Sequence, residues 1–343
     1  MKRRTLASLG FFLLPLTALG HHSFAATFDL SRTIELEGEV TRVLWRNPHV
    51  GLTLRTTDDS GAEAVWNLES QSLSVLRRME ITDPFFAVGD TVKVAGYPAR
   101  RAADGLFVTH MLLPSGEEFV FQFGSEPAAL RWSDRAWGNT GSWFVDRGDA
   151  SEAERGLFRV WATSLAGGGA FFWRENYPLT DAARDALAAW DHYTDDPITN
   201  CAPKGMPAIM SQPYPLEFVE QGDTIVLRLE EYDTVRTIHM GDVALIDEPP
   251  PSLLGHSVGH WEDRALVVKT TGVNWGHFDA SGIRLSHDVE FSERFTPLED
   301  GSRLDYELTI TDATTFTEPL VLRKAWYSVP GLRVAAYECT TDG

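Results

Sequence analysis

Four histidines fall between residues 256 and 287, in the segments GHSVGHWE, VNWGHFDASG and LSHDVE, with acids set among them. Imidazole changes charge near neutral pH, so His256, His260, His277 and His287, together with Asp279, are candidates for general acid–base work. A second polar group lies upstream in LRLEEYDTVRTIHM, where Glu231 and Arg236 flank a tight turn and are placed to pair across a hairpin. If Ile225, Leu227 and Leu229 face inward, strand alternation carries Glu231 inward too, and a buried carboxylate needs a partner such as Arg236. Glu231, Tyr232, Arg236 and Trp275 are therefore read as groups that hold a ligand. The third set is His21, His22 and His49. A free N-terminal histidine offers an α-amine and an imidazole in one small chelate ring, which suits copper or zinc, copper having the higher intrinsic affinity.

Each set has a plainer reading. Polar residues alternating with apolar ones are what the wet face of an antiparallel sheet looks like, and a chain terminus is disordered unless tied down. The segments H-E-x-x-H and G-x-G-x-x-G and the P-loop pattern do not occur, so zinc-protease and nucleotide-binding chemistry lack their usual signatures. Eleven tryptophans is a high count. Among them Trp66, Trp161, Trp173, Trp190, Trp261, Trp275 and Trp326 read as core or as the walls of a pocket for an apolar or planar molecule.

The elements that must place these residues begin after a leader. Lys2, Arg3 and Arg4 precede a short apolar run from Leu9 to Leu16, and Ala18-Leu19-Gly20 supplies small residues for cleavage after Gly20. That pattern predicts a signal peptide over residues 1–20 and a periplasmic or secreted protein. Cleavage there makes His21 the first residue, whereas cleavage after Ala25 removes both histidines. No later segment reads as membrane-spanning. Losing three cations and no acid takes the net charge from −19 to −22. A chain this acidic repels phosphate backbones and anionic lipid surfaces, which argues against nucleic acid as a partner and leaves a small molecule. The two cysteines, Cys201 and Cys339, form an even pair in an oxidising compartment and read as a disulfide, with two buried thiols or two metal ligands as the rivals.

Residues 21–123 read as strands: TIELEGEVTRVLW with a bend or bulge at Gly38, then VGLTLRT, AEAVWNLES, DTVKVAGYPAR and LFVTHMLL, with SQSLSVLRRM as one short helix. Five or six strands with one helix in about a hundred residues predict a small OB-like barrel. Residues 124–155 read as a linker that docks through Trp132, Trp137 and Trp143. Residues 156–343 open with a helix capped by Thr180 and continue as seven to nine antiparallel strands, ending with LRVAAYE. This predicts a β-barrel or sandwich, lipocalin-like, able to hold one small ligand unless its interior is packed solid. The whole chain is thus mainly β, with one or two short helices.

HHSFAATFD, GEVTRVLWRNPHVGLTL, WNLES and GDTVKVAGYPAR, in that order, resemble an uncharacterised family of secreted bacterial proteins. NCAPKGMP, GHSVGHWEDRALVVKTTG, LSHDVEFSERF and YEC resemble a second uncharacterised secreted set, which implies a Cys201–Cys339 pair and a β-rich fold. Neither resemblance brings an activity. The expectation is an exported protein that binds a small, partly apolar molecule in the C-terminal barrel. The alternatives are an acid–base enzyme, a hydrolase, lyase or isomerase, using the histidines at the barrel mouth, and a copper or zinc protein at the mature N-terminus.

Overall fold

The computed structural model describes residues 26–121, 129–138, 156–163, 176–197, 201–241, 250–329 and 331–339. His21 and His22, the leader, Trp143 and Trp173 lie outside these residues. The fold is mainly β and contains two closed barrels.

The first barrel is built from β1 (Ile34–Leu44), β2 (Gly51–Thr57), β3 (Glu63–Glu69), β4 (Thr91–Pro98) and β5 (Gly105–Leu112). The strands run β3-β2-β1-β4-β5, and parallel pairing of β3 with β5 closes the ring. A short β6 (Glu118–Val120) adds to the edge of β5. Helix α1 (Leu73–Arg78) lies between β3 and β4, with the Ser72 hydroxyl accepting the Val75 N–H at its N-cap. This is the OB-like order expected from the sequence. The bulge, however, falls between Val40 and Arg42. Gly38 serves another purpose, because the Arg55 carbonyl of β2 occupies the space a Cβ would need. Part of the expected linker packs on this barrel. Buried Glu118 accepts the backbone N–H groups of Arg131, Trp132 and Ser133, and Trp137 stacks on Phe85 with centroids 4.3 Å apart.

The second barrel has nine strands, closed in the order β10-β11-β12-β13-β14-β15-β7-β8-β9. They are β7 (Val160–Thr163), β8 (Leu216–Gln221), β9 (Thr224–Leu229), β10 (Thr234–Met240), β11 (His256–Glu262), β12 (Ala265–Thr271), β13 (Glu290–Pro297), β14 (Arg303–Thr311) and β15 (Leu320–Ser328). All pairs are antiparallel except β10 with β11, which is parallel. β7 and β8 are strands the sequence reading passed over. LRVAAYE, in turn, is no strand: its backbone groups bond to side chains, Ala335 N–H to Glu230 and Tyr337 N–H to Asp233. Helix α2 (Asp181–Ala188) starts at Thr180, whose hydroxyl accepts the Ala183 N–H, and α3 (His192–Asp195) follows it.

The barrels meet through loops. Arg78 of α1 donates to the carbonyls of Pro213 and Thr163, and Arg77 donates to that of Ala336. Buried Asn47 accepts from the Leu73 N–H and donates to the Tyr337 carbonyl. Beside this contact Cys201 and Cys339 form a disulfide that ties the C-terminal tail to the segment after α3.

Candidate functional site

The strand registers send the β9–β10, β12–β13 and β14–β15 connections out of one end of the large barrel. The sequence-selected residues are divided between that end, the lumen and the outer wall.

Arg236 sits in the lumen with its partners. Along β13, Phe291, Glu293 and Phe295 share the inward face, so Glu293 is carried inside among aromatic rings. Both guanidinium nitrogens Nη1 and Nη2 of Arg236 donate to the Glu293 carboxylate, the first at 2.9 Å. Nε reaches Ser257 Oγ at 3.1 Å, Nη2 reaches Thr270 Oγ1 at 2.8 Å, and the Tyr306 hydroxyl donates to Glu293 at 2.7 Å. The expected Glu231–Arg236 pair is therefore replaced by Arg236–Glu293. The reason is register: Arg236 and Glu231 belong to different levels of the barrel, and Glu231 lies in the 3-10 turn that ends β9. Lys204 Nζ neutralises Glu231 at 2.7 Å, while the second Glu231 carboxylate oxygen has no partner among the described residues. Burial raises the Glu231 pKa against the opposing pull of Lys204. Lys324, also fully inside, donates to the carbonyls of Met210 and Gln212, and burial holds its pKa well below the usual lysine value. Tyr232 is half-buried against Tyr337, with ring centroids 5.0 Å apart. A cavity of about 10 Å³ beside Glu231 and Trp326 has room for one water. Among the described residues the lumen is packed by apolar side chains and matched charges, so the expected ligand space inside it is filled.

The four histidines do not converge. Ser257 and Gly259 take the inward positions of β11, so His256 and His260 share a side, as their spacing implied, but it is the outer one. His260 is exposed and pairs with Glu262 at 3.2 Å, and His287 is exposed on the connection before β13. His256 packs against His239, ring centroids 5.0 Å apart, and burial followed by the His239 charge lowers its pKa. None of the four touches another.

His277 is different. It is buried on the β12–β13 connection, between Trp190 (centroids 5.6 Å apart) and Trp275 (5.4 Å). Two glycines make room for these indoles: Trp275 fills the place of a Gly205 side chain, and Trp190 that of Gly282, whose φ is +96°. Burial, with a smaller push from the Arg284 charge, lowers the His277 pKa to about 4, so the ring is neutral at pH 7. Among the described residues its Nδ1 has no hydrogen-bond partner, nor have Nε1 of Trp190, Nε1 of Trp275 and Oγ of nearby Ser281. Buried polar atoms are nearly always paired, so an unpaired imidazole nitrogen with three further unpaired atoms around it sets this group apart. Asp279 accepts the Ser281 backbone N–H at 2.7 Å and shapes the loop. Trp190 was legible only as a pocket wall, Glu293 and Lys324 as charges in phase with inward apolar residues, and Lys204 by no pattern.

In the small barrel a cleft of about 390 Å³ opens between the β1–β2 and β4–β5 connections, lined by Thr27, Phe28, His49, Asn67, Glu69 and Leu106. His49 Nδ1 lies 2.8 Å from the Ser70 carbonyl oxygen. A carbonyl can only accept, so Nδ1 carries the proton that makes this bond. Among the described residues no three His, Cys, Asp or Glu side chains gather into a metal-holding group. No described helix is long and apolar enough to cross a membrane.

Comparison with known sequences places the first barrel. Residues 12–107 match a family of unknown function, DUF6152. The match runs through β4 into β5 and leaves the nine-stranded barrel uncovered. No curated protein matches the chain.

Proposed function

We propose that this chain is an exported binding protein, with residues 1–20 removed as a signal peptide, a barrel domain over 21–123, a connecting segment over 124–155 and a second barrel over 156–343. It acts in the periplasm or outside the cell, and its ligand is a small, planar, partly apolar molecule held at the end of the large barrel. The leader pattern and the disulfide support export. The observation that carries the binding assignment is the His277 group: two indole N–H donors and a neutral imidazole, all unpaired, set in apolar surroundings. Ligand sites have that composition, a few convergent polar atoms fixing orientation within a hydrophobic wall. Indole N–H groups call for acceptors, so the ligand carries carbonyl, ether or carboxylate oxygens on a ring system thin enough to lie against Trp275.

Binding is preferred to acid–base catalysis because a histidine held near pKa 4 is a weak base at neutral pH, and efficient general bases titrate near the working pH. Titration of the full-length exported protein with a panel of planar aromatic carboxylates and ketones, followed by tryptophan fluorescence, tests the assignment. Saturable quenching in the wild type and its loss in Trp275→Ala are expected. Equal responses from the two proteins, or none across the panel, would overturn it.

A further inference from the structure

We propose that Thr27, His192 and Asp196 form a catalytic site at the junction of the two barrels, which hydrolyses small carboxylic esters held in the cleft of the small barrel. This goes beyond the ligand site of the large barrel and uses none of its residues.

The order of the three side chains is the first observation. The Thr27 hydroxyl lies 3.2 Å from His192 Nε2. On the other side of the same ring, Nδ1 lies 3.1 Å from Asp196 Oδ2. A hydroxyl beside an imidazole that a carboxylate orients is the arrangement that turns a weak alcohol into a nucleophile. The carboxylate accepts, so in the neutral ring Nδ1 holds the proton towards Asp196 and Nε2 takes one from Thr27. The Nδ1 approach to Asp196 is bent out of hydrogen-bond line, and such contacts often tighten only around bound substrate. The Asp196 side chain is 4% exposed and that of His192 17%, so little water competes for the ring.

Both sides of the junction are pinned, which is the second observation. The Thr27 carbonyl accepts the Arg100 N–H at 2.8 Å, and the Asp29 N–H donates to the Pro98 carbonyl at 2.9 Å, fixing the nucleophile to the small barrel. Helix α3 is fixed to it in turn. Arg101 pairs with Asp191 at 3.1 Å and lies 4.0 Å from the centroid of the Tyr193 ring, whose hydroxyl donates to the Ala26 carbonyl at 3.2 Å. Asp191 also caps α3 by accepting the Tyr193 N–H at 2.9 Å. Supports on each side of His192 hold the base against the hydroxyl, as a reacting constellation requires.

The third observation is the space beside the hydroxyl. Thr27 lines the cleft of about 390 Å³, a volume usual for a small-molecule site. Phe28, Leu44 and Leu106 give it apolar walls for an acyl chain, and Arg46 and Asn67 bring N–H donors for a carbonyl oxygen that becomes an oxyanion. Asn67 Nδ2 carries two hydrogens, of which Asp104 takes one at 2.8 Å. In the reaction Thr27 Oγ1 bonds to the ester carbon while His192 Nε2 takes its proton. The bond to the alcohol oxygen breaks, and the alcohol leaves with that proton. Water, giving a proton to Nε2, then releases the acid from the acyl-threonine, and the proton returns to Thr27. Thr27 and His192 are thus the catalytic residues and Asp196 a positioning residue.

The test uses the full exported chain with p-nitrophenyl butyrate. Release of p-nitrophenol above the buffer rate is expected, and acid quenching should leave a butyryl mass on the peptide containing Thr27. Thr27→Val keeps the shape and removes the hydroxyl, and His192→Gln removes the base. Each should lower kcat by about a hundredfold or more while unfolding at the wild-type temperature. Thr27→Ser should still turn over, with the acyl group at the same position. Asp196→Asn should lower kcat by about tenfold or more with KM unchanged, whereas a purely structural role would lower the unfolding temperature instead. Trp275→Ala should hydrolyse the ester as the wild type does. No release above the buffer rate, a butyryl group on another residue, or wild-type turnover in Thr27→Val would overturn the proposal, and the position of the group in the unaltered protein decides if a variant fails to fold.

Discussion

The Arg236–Glu293 group and the His277 group are buried in the same barrel, yet they stand at opposite ends of polar accounting. In the first, guanidinium, carboxylate, two hydroxyls and a phenol satisfy one another within 3.1 Å, apart from a longer Thr270–Glu293 approach at 3.5 Å. In the second, an imidazole nitrogen, two indole nitrogens and a hydroxyl are buried without a partner among the described residues. A buried polar group without a partner costs roughly 1–3 kcal/mol, so a complete network fixes the fold and an incomplete one anticipates another molecule. Burial of charge alone therefore does not locate a site. Satisfaction does.

The largest expected effect breaks the complete network. Glu293→Ala leaves Arg236 charged and unpaired in the lumen, and should lower stability by about 3–5 kcal/mol in urea unfolding. A loss below about 1 kcal/mol would mean that water already reaches Arg236, and the distinction between the two groups would fail. Next comes a change that spares both groups. Replacing Cys201 and Cys339 by serine opens a link across 138 residues and should cost about 2–5 kcal/mol, while ligand binding at His277 persists. Loss of binding at a temperature where the variant is folded would show that the tail, not the local loop, shapes the site.

A smaller effect sharpens the contrast through pH. The His277 pKa falls from 6.5 unfolded to about 4 folded, so between those values the unfolded chain binds a proton that the folded chain refuses. The stability contributed by His277 is present above pH 6.5 and is lost as pH falls towards 4, at no more than about 1.4 kcal/mol per pH unit. Glu230 and Glu231, both with pKa values raised by burial, act in the opposite sense. The difference between wild type and His277→Phe isolates the histidine, and that variant should be as stable at pH 7 and more stable at pH 5. Equal curves for the two proteins from pH 4 to 7 would remove the buried neutral imidazole. The smallest change is expected at His260→Ala, within about 0.5 kcal/mol, because its pairing with Glu262 is exposed.

Much of the architecture followed from local pattern. Alternation through Ile225, Leu227 and Leu229 placed β9, and Ser72 and Thr180 marked helix starts through their hydroxyls. β7 escaped because four residues carry too little periodicity, and the LRVAAYE tail misled because an extended apolar run looks alike whether its backbone pairs with a strand or with side chains. The site was legible in part. His277, Trp275 and Asp279 were selected as residues able to do chemistry, but so were His260 and His287, and nothing local separates a histidine on the outer wall from one sealed between two indoles.

The sequence by itself determined that this chain is mainly β and that two strand-rich parts follow one another, and it favoured a Cys201–Cys339 pair, since alternation, turn residues and an even cysteine count act without knowledge of the fold. Tertiary structure alone decided that Arg236 meets Glu293 rather than Glu231, and that Trp190, His277 and Trp275 come together with polar atoms unpaired among the described residues. Those choices depend on strand register around a closed ring and on the return of distant loops to one end of it. Residues 57 and 87 positions apart become neighbours there through geometry that no window of sequence contains.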